Sequence, residues 1–188
     1  MTDARQHIPV STQHIRLPID SATGALLVLD NSSQNTVDNT TYNILQSKVF
    51  HVADAETVGN TNGRSLLLTT PNTAMRIHLS FKIGANGNVQ YFFYEDPTIS
   101  DVGTAVTPYN RDRNSAATAT LTVKHTPAVT SVGTAISKGN LVISNNINSE
   151  RIEDRMWILK QNEQYLLRVV NNSGASVYTT ILVDWYEE

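Results

Sequence analysis

His7, His14, His51, His78 and His125 are the side chains that could ligate a metal or carry a proton near neutral pH. A zinc-hydrolase helix needs two histidines four residues apart with a glutamate between them, and no pair here has that spacing. They read as surface histidines. Glu95, Asp96, Asp101, Asp184, Glu187 and Glu188 could in principle supply the paired carboxylates of a glycosidase, where only the separation in space matters. All of them fall at the ends of apolar runs or between them, where acids ordinarily serve solubility. The stretch "DNSSQNTVDN" is oxygen-rich like a calcium loop but lacks the alternating acidic order, the glycine and the closing glutamate. No glycine-rich phosphate loop and no G-x-S-x-G elbow occurs. The expectation is a protein that is not an enzyme, with no catalytic residue, no metal and no cofactor.

The segment "TPYNRDRNSAATATLTVKHTP" is more unusual. Arg111 and Arg113 flank Asp112, with Asn110 and Asn114 outside them. Guanidinium groups make planar, multidentate hydrogen bonds to carboxylates and backbone carbonyls, so a loop with two of them suits the clamping of a neighbouring chain. The alternative is a self-satisfied turn in which Asp112 pairs with one arginine. Spacing alone leaves both open.

Composition narrows the classes further. The 188 residues suffice for one domain that buries about 70% of the surface its unfolded chain exposes. Without cysteine, disulfides, thiolate zinc sites, iron–sulfur clusters and cysteine nucleophiles are excluded. A net charge of -3 argues against a protein that coats phosphates, so nucleic acid is not an expected partner. No stretch approaches the roughly 20 apolar residues of a membrane span, and "MTDARQHIPV" has no apolar signal core. A soluble protein without a membrane partner is expected. Asn31, Asn39 and Asn171 begin N-x-S/T triplets, which an Asn- and Thr-rich chain generates by chance.

The elements that must position these residues are strands. Residues 1–22 hold Pro9 and Pro18 among polar side chains and read as an extended N-terminal arm, with a sandwich domain over 23–188. Short apolar runs then recur between Gly, Pro and Asn turns, which is the pattern of an all-β, antiparallel, jelly-roll-like sandwich. "ATATLTVK" alternates most cleanly, with Ala117, Ala119, Leu121 and Val123 on the buried side. "NSERIEDRMWILK" is the one possible helix, although its alternation fits a strand as well.

"MRIHLSFKI" and "VQYFFYE" flank "GANGN" and read as a hairpin with Gly87 in a left-handed bulge position, pairing Phe81 with Tyr91. That register gathers Met75, Ile77, Leu79, Phe81, Ile83, Val89, Tyr91 and Phe93 on one face and leaves Phe92 and Tyr94 on the other. A second hairpin around "NNSGA" sets Tyr165, Leu167 and Val169 against Val177, Ile181, Val183 and Trp185. The same alternation turns Asp184 and Tyr186 away from the core, with Glu187 and Glu188 keeping the last edge soluble.

The order of the "NRDRNS" segment, the Thr-rich strand, "LKQNEQYL" and "DWYEE" resembles a group of small tailed-bacteriophage virion proteins. The resemblance covers the second half of the chain best. It implies a capsid decoration or cement protein: a trimeric sandwich on the outer capsid surface, made in the host cytoplasm, that holds the major capsid protein lattice together without covalent chemistry. On that reading Arg111, Arg113 and Asn114 lock loops or neighbouring subunits. Phe92, Tyr94 and Tyr186 are candidates for subunit contact, since aromatics off the core face are enriched at interfaces. The alternative role is a tail-associated receptor- or carbohydrate-binding module that stacks sugars on exposed Trp and Tyr.

Overall fold

The computed structural model describes residues 27–30, 33–36, 39–142 and 149–188, with side chains over 41–142 and 156–188. The expected arm over 1–22 and its boundary lie outside the described residues. The chain divides into two compact units, Met1–Tyr42 and Asn43–Glu188. In the first, β1 (Leu27–Asp30) pairs antiparallel with β2 (Ser33–Thr36). A short helix that the sequence did not signal, α1 (Asn39–Leu45), spans the division. It closes on Ser47 at φ 57, with Ser47 N–H donating to the Ile44 carbonyl at 2.8 Å and Lys48 N–H to that of Asn43 at 3.0 Å. This pair of bonds satisfies the last carbonyls of the helix, with serine where glycine is usual.

The second unit is built from β3 (Val49–Val58), β4 (Gly63–Thr69), β5 (Ile77–Ala85), β6 (Val89–Glu95), β7 (Thr98–Asp101), β8 (Thr104–Val106), β9 (Tyr109–Asn110), β10 (Thr122–His125), β11 (Ala128–Ser131), β12 (Thr134–Leu141), β13 (Ser149–Leu159), β14 (Gln164–Asn171) and β15 (Val177–Glu187). One sheet has the order β13-β5-β15-β3-β9 and the other β12-β6-β14-β4-β10-β8, while β7 and β11 form a separate ribbon. Counting only the eight long strands in chain order, the sheets read 6-3-8-1 and 5-4-7-2. That is the winding of a jelly roll, in which every pairing is antiparallel. The all-β sandwich expected from the sequence is the observed architecture.

Alternation builds the core. Ile77, Leu79, Phe81 and Ile83 of β5 and Val177, Ile181, Val183 and Trp185 of β15 point inward from one sheet. Val89, Tyr91, Phe93, Leu66, Leu68, Tyr165, Leu167 and Val169 meet them from the other. Phe81 packs 5.9 Å from the Tyr91 ring and 5.4 Å from that of Phe93, and Trp185 stacks 5.9 Å from Phe50. Gly139 lies opposite Tyr91 in the sheet, and a Cβ there would enter the tyrosine ring.

Three local expectations are corrected. Neither apparent hairpin is one: β5 and β6 belong to different sheets, as do β14 and β15, so each turn is an arch that crosses the sandwich. Phe81 does meet Tyr91, but edge to face across the core rather than along a ladder. Gly87 is absent from the left-handed region; it is small because a Cβ would strike Val177. Asn86 fastens one arch to the other, its N–H donating to the Tyr178 carbonyl at 3.1 Å and its Oδ1 accepting from Tyr178 N–H at 2.8 Å.

In "ATATLTVK" only Thr122–Lys124 is strand, the start of β10; Leu121 and Val123 are buried, whereas Ala117 is exposed. The segment before it leaves the ladder because a side chain, Glu187, takes its amides. "NSERIEDRMWILK" is strand β13, with Trp157 opposite Leu79, its side chains up to 155 lying outside the described residues.

Glu187 is the third correction. It points inward at 5% exposure and accepts from Thr120 N–H at 2.9 Å, Thr120 Oγ1 at 2.7 Å, Leu121 N–H at 3.1 Å and Trp185 Nε1 at 3.0 Å. Far from guarding an edge, it belongs to β15, which is paired on both sides by β5 and β3. The carboxylate serves as the acceptor for a chain segment that has no strand neighbour at that point.

Candidate functional site

The Asn110–Asn114 loop follows the two-residue strand β9, whose Tyr109 and Asn110 lie opposite His51 and Phe50 of β3. Asn110 turns inward at 7% exposure, and its amide donates to the Ser47 carbonyl at 2.8 Å while its Oδ1 accepts from Asp112 N–H at 2.9 Å. Asp112 accepts from Ser47 Oγ at 2.8 Å and from Asn114 N–H at 3.1 Å. Arg111 N–H donates to the Val49 carbonyl at 2.8 Å. The loop is thus self-satisfied, but by Ser47 and backbone groups rather than by an Asp112–arginine pair. Arg113 Nη1 donates to the Asn110 carbonyl at 3.5 Å, and both arginines are exposed at the surface.

They converge with residues from three strands on the outer face of the five-stranded sheet. A depression of about 450 Å³ is lined by His51, Lys82, Tyr109, Asn110, Arg111, Arg113 and Asp184. His51 Nδ1 lies 3.1 Å from Asp184 Oδ1, and Arg111 Nη1 lies 4.0 Å from the same oxygen. The Arg113 guanidinium sits 5.4 Å from the centroid of the Tyr109 ring, which is 56% exposed. Strand alternation explains why Asp184 is here: it faces away from its buried neighbour Trp185 and lies opposite His51 in the ladder. His51 and Arg111 thus share one carboxylate oxygen, and Lys82 and Arg113 line the same depression.

One step further along the same face, Tyr186 stacks on His78 with ring centroids 4.2 Å apart and planes 10° from parallel. His78 is buried rather than a surface histidine, at 7% exposure, and its Nε2 lies 2.9 Å from Glu188 Oε1. The remaining two aromatic candidates are elsewhere. Phe92 and Tyr94 stack at 5.5 Å on the outer face of the six-stranded sheet, where Lys138 and Arg168 flank Phe92 and Ala135 and Leu166 flank Tyr94. The six candidates thus divide between opposite faces of the sandwich, and Asn114, although in the arginine loop, does not line the depression.

Other polar groups hold the fold together. Arg64, 5% exposed inside one end of the sandwich, pairs with Asp54 and donates to the Thr179 carbonyl at 3.1 Å. Glu95 accepts from Tyr165 Oη at 3.0 Å and pairs with Lys160 at 3.0 Å. Burial pushes the Tyr165 phenol well above its usual range; the Lys160 amide opposes the shift and Glu95 adds to it. Bonding to Glu95 raises the Lys160 ammonium as well. Asn171, one of the N-x-S/T asparagines, is fully buried, with its amide donating to the carbonyls of Val58 at 2.8 Å and Ala175 at 2.7 Å. In the folded chain it fastens a turn.

Sequence reasoning singled out the arginines but not Ser47, Lys82 or Tyr109, and it read His51 as a surface histidine. Asp184 and Tyr186 had been placed off the core face by alternation, yet nothing local says that β3 and β9 lie beside them. Among the described residues no group of three or more His, Asp or Glu is placed to hold a metal ion, and no helix is long and apolar enough to cross a membrane. No protein-family model matches the chain, and no curated protein matches it.

Proposed function

We propose that the chain is a non-catalytic structural protein of a bacteriophage virion, which decorates the outer surface of the capsid and bridges neighbouring major capsid subunits. The observation that carries this is the Asn110–Asn114 loop: its backbone and Asp112 are satisfied internally, and Arg111 and Arg113 are held on the surface beside an exposed tyrosine. Such preorganised guanidinium and aromatic groups cost little ordering entropy on docking. Jelly-roll sandwiches occur in capsid and lectin domains, a support at the level of fold analogy. With contacts on both outer faces, Phe92 and Tyr94 on one and Arg111, Arg113 and Tyr186 on the other, one copy can touch two neighbours. Cementing then works by mass action, since interface formed only in the assembled shell stabilises that shell.

The proposal extends to a trimer of this chain on the capsid surface. Particles lacking the protein should burst at lower temperature than complete ones, and adding it back should restore them. Equal bursting temperatures, or labelling of the tail tip rather than the head by immunogold, would overturn the reading. A tail-tip carbohydrate-binding role has less support from the aromatics: Trp185 is 2% exposed and Trp157 packs against the core, which leaves Tyr109 and Tyr178 as open rings.

A further inference from the structure

We infer that the depression between His51, Lys82, Tyr109, Arg111, Arg113 and Asp184 receives the carboxylate of a single aspartate or glutamate side chain presented by a partner protein's loop. The inference rests on the reading of this face as a protein contact and adds the chemistry of what it contacts.

Charge comes first. Arg111 and Arg113 oppose one lining carboxylate, Asp184, in a chain whose net charge is -3, so two guanidinium groups gather positive charge at one spot of an acidic protein; Lys82 lines the depression too but has a partner of its own. Asp112 adds a charge nearby but does not line the depression, and its oxygens accept from Ser47 Oγ and Asn114 N–H. Asp184 has a positioning task, since both His51 and Arg111 lean on the same oxygen, at 3.1 and 4.0 Å. That leaves the rest of the Arg111 fork turned to an incoming acceptor. Arg111 is 44% exposed by side chain, and Arg113 is steadied over the Tyr109 ring.

Shape then selects the anion. A planar carboxylate matches the guanidinium fork bidentately, and the exposed flank of Tyr109 can cover the methylene groups that carry it. A volume of about 450 Å³ takes a side chain and part of its backbone, not a folded element. Charge alone does not separate the two anions, since the lining cations attract a phosphate dianion, as Asp184 repels it, about twice as strongly as a carboxylate at equal distance; the planar fork and the Tyr109 flank make the selection. The net charge of -3 on the whole chain disfavours polyanions such as nucleic acid.

The test uses the isotope-labelled full chain and three probes: the blocked tripeptide acetyl-Gly-Glu-Gly-amide, its glutamine counterpart, and inorganic phosphate. Saturable shifts of the His51, Tyr109, Arg111 and Arg113 resonances are expected with the glutamate peptide, at an affinity about tenfold better than with the glutamine peptide. Arg113→Gln, in an exposed loop, should abolish that preference while leaving the rest of the spectrum folded, and Arg113→Lys should restore part of it. Equal response to the two peptides, tighter binding of phosphate, or an unchanged preference in Arg113→Gln would overturn the inference. Peptide binding by a protein that fails to attach to capsids would uphold the carboxylate site and remove the decoration reading. Attachment by Arg113→Gln at full strength, together with no peptide response, would do the reverse.

Discussion

Glu187 shows what one buried charge can organise. Its two oxygens accept from four donors, two of which are backbone amides of a segment without a ladder partner. Glu187→Ala should therefore lower stability by about 3 kcal/mol in denaturant unfolding, because the donors stay buried without an acceptor. Glu187→Gln should fall between, since an amide keeps one acceptor but turns a donor toward other donors. Trp185, which shares this carboxylate and stacks on Phe50, should cost about 3–5 kcal/mol when cut to alanine. A loss under about 1 kcal/mol would contradict its burial. Tyr165 supplies a pH signature: its folded phenol is raised by burial above the unfolded value of about 10. Stability is intact below about pH 10 and falls as pH rises beyond it, because the unfolded chain gives up the proton first. Melting temperatures between pH 8 and 11 should decline less steeply in Tyr165→Phe.

At the scale of elements, the arches are the departure from what local sequence suggests. Gly87→Ala should destabilise by about 1–3 kcal/mol through the clash with Val177, and Val177→Ala should relieve part of that cost in a double-mutant cycle. Additive losses would show that the two arches do not press on each other. Strand faces were legible in four of the strands: every core position assigned to β5, β6, β14 and β15 by alternation is buried or packed on the core. Pairing was not, because "GANGN" and "NNSGA" suit a tight hairpin as well as an arch, and the choice depends on strands far away in sequence. The same limit applies to the candidate site. Arg111 and Arg113 stood out by type, whereas His51 and Tyr109 join Asp184 only once β15, β3 and β9 are neighbours. The first half of "ATATLTVK" misled for a third reason, a distant carboxylate competing for its amides.

For the whole molecule, the two outer faces should act independently. If the chain decorates particles as proposed, Phe92→Ala with Tyr94→Ala should weaken attachment separately from Arg111→Gln with Arg113→Gln, and the combined variant should lose the sum, as expected of sites without shared partners. A shortfall from additivity would place all four residues in one interface, which two opposite faces of a sandwich can reach only through an oligomer. Light scattering of the free protein gives the count, about three chain masses for a closed trimer.

The position of β15 between β3 and β5 has a consequence for how the chain comes to be folded at all. As residues emerge in order from a ribosome, β3 and β5 are present early but share no ladder, and each keeps an open flank until residues 177–187 arrive to join them. From the completion of β5 at Ala85 to the arrival of β15 at Val177, the nascent chain thus carries two unpaired, half-apolar edges, the situation in which strands of neighbouring chains pair wrongly. A protein wound this way completes its five-stranded sheet only in a slow, cooperative step that waits for β15. Its yield in a crowded cell should therefore depend on keeping that interval short.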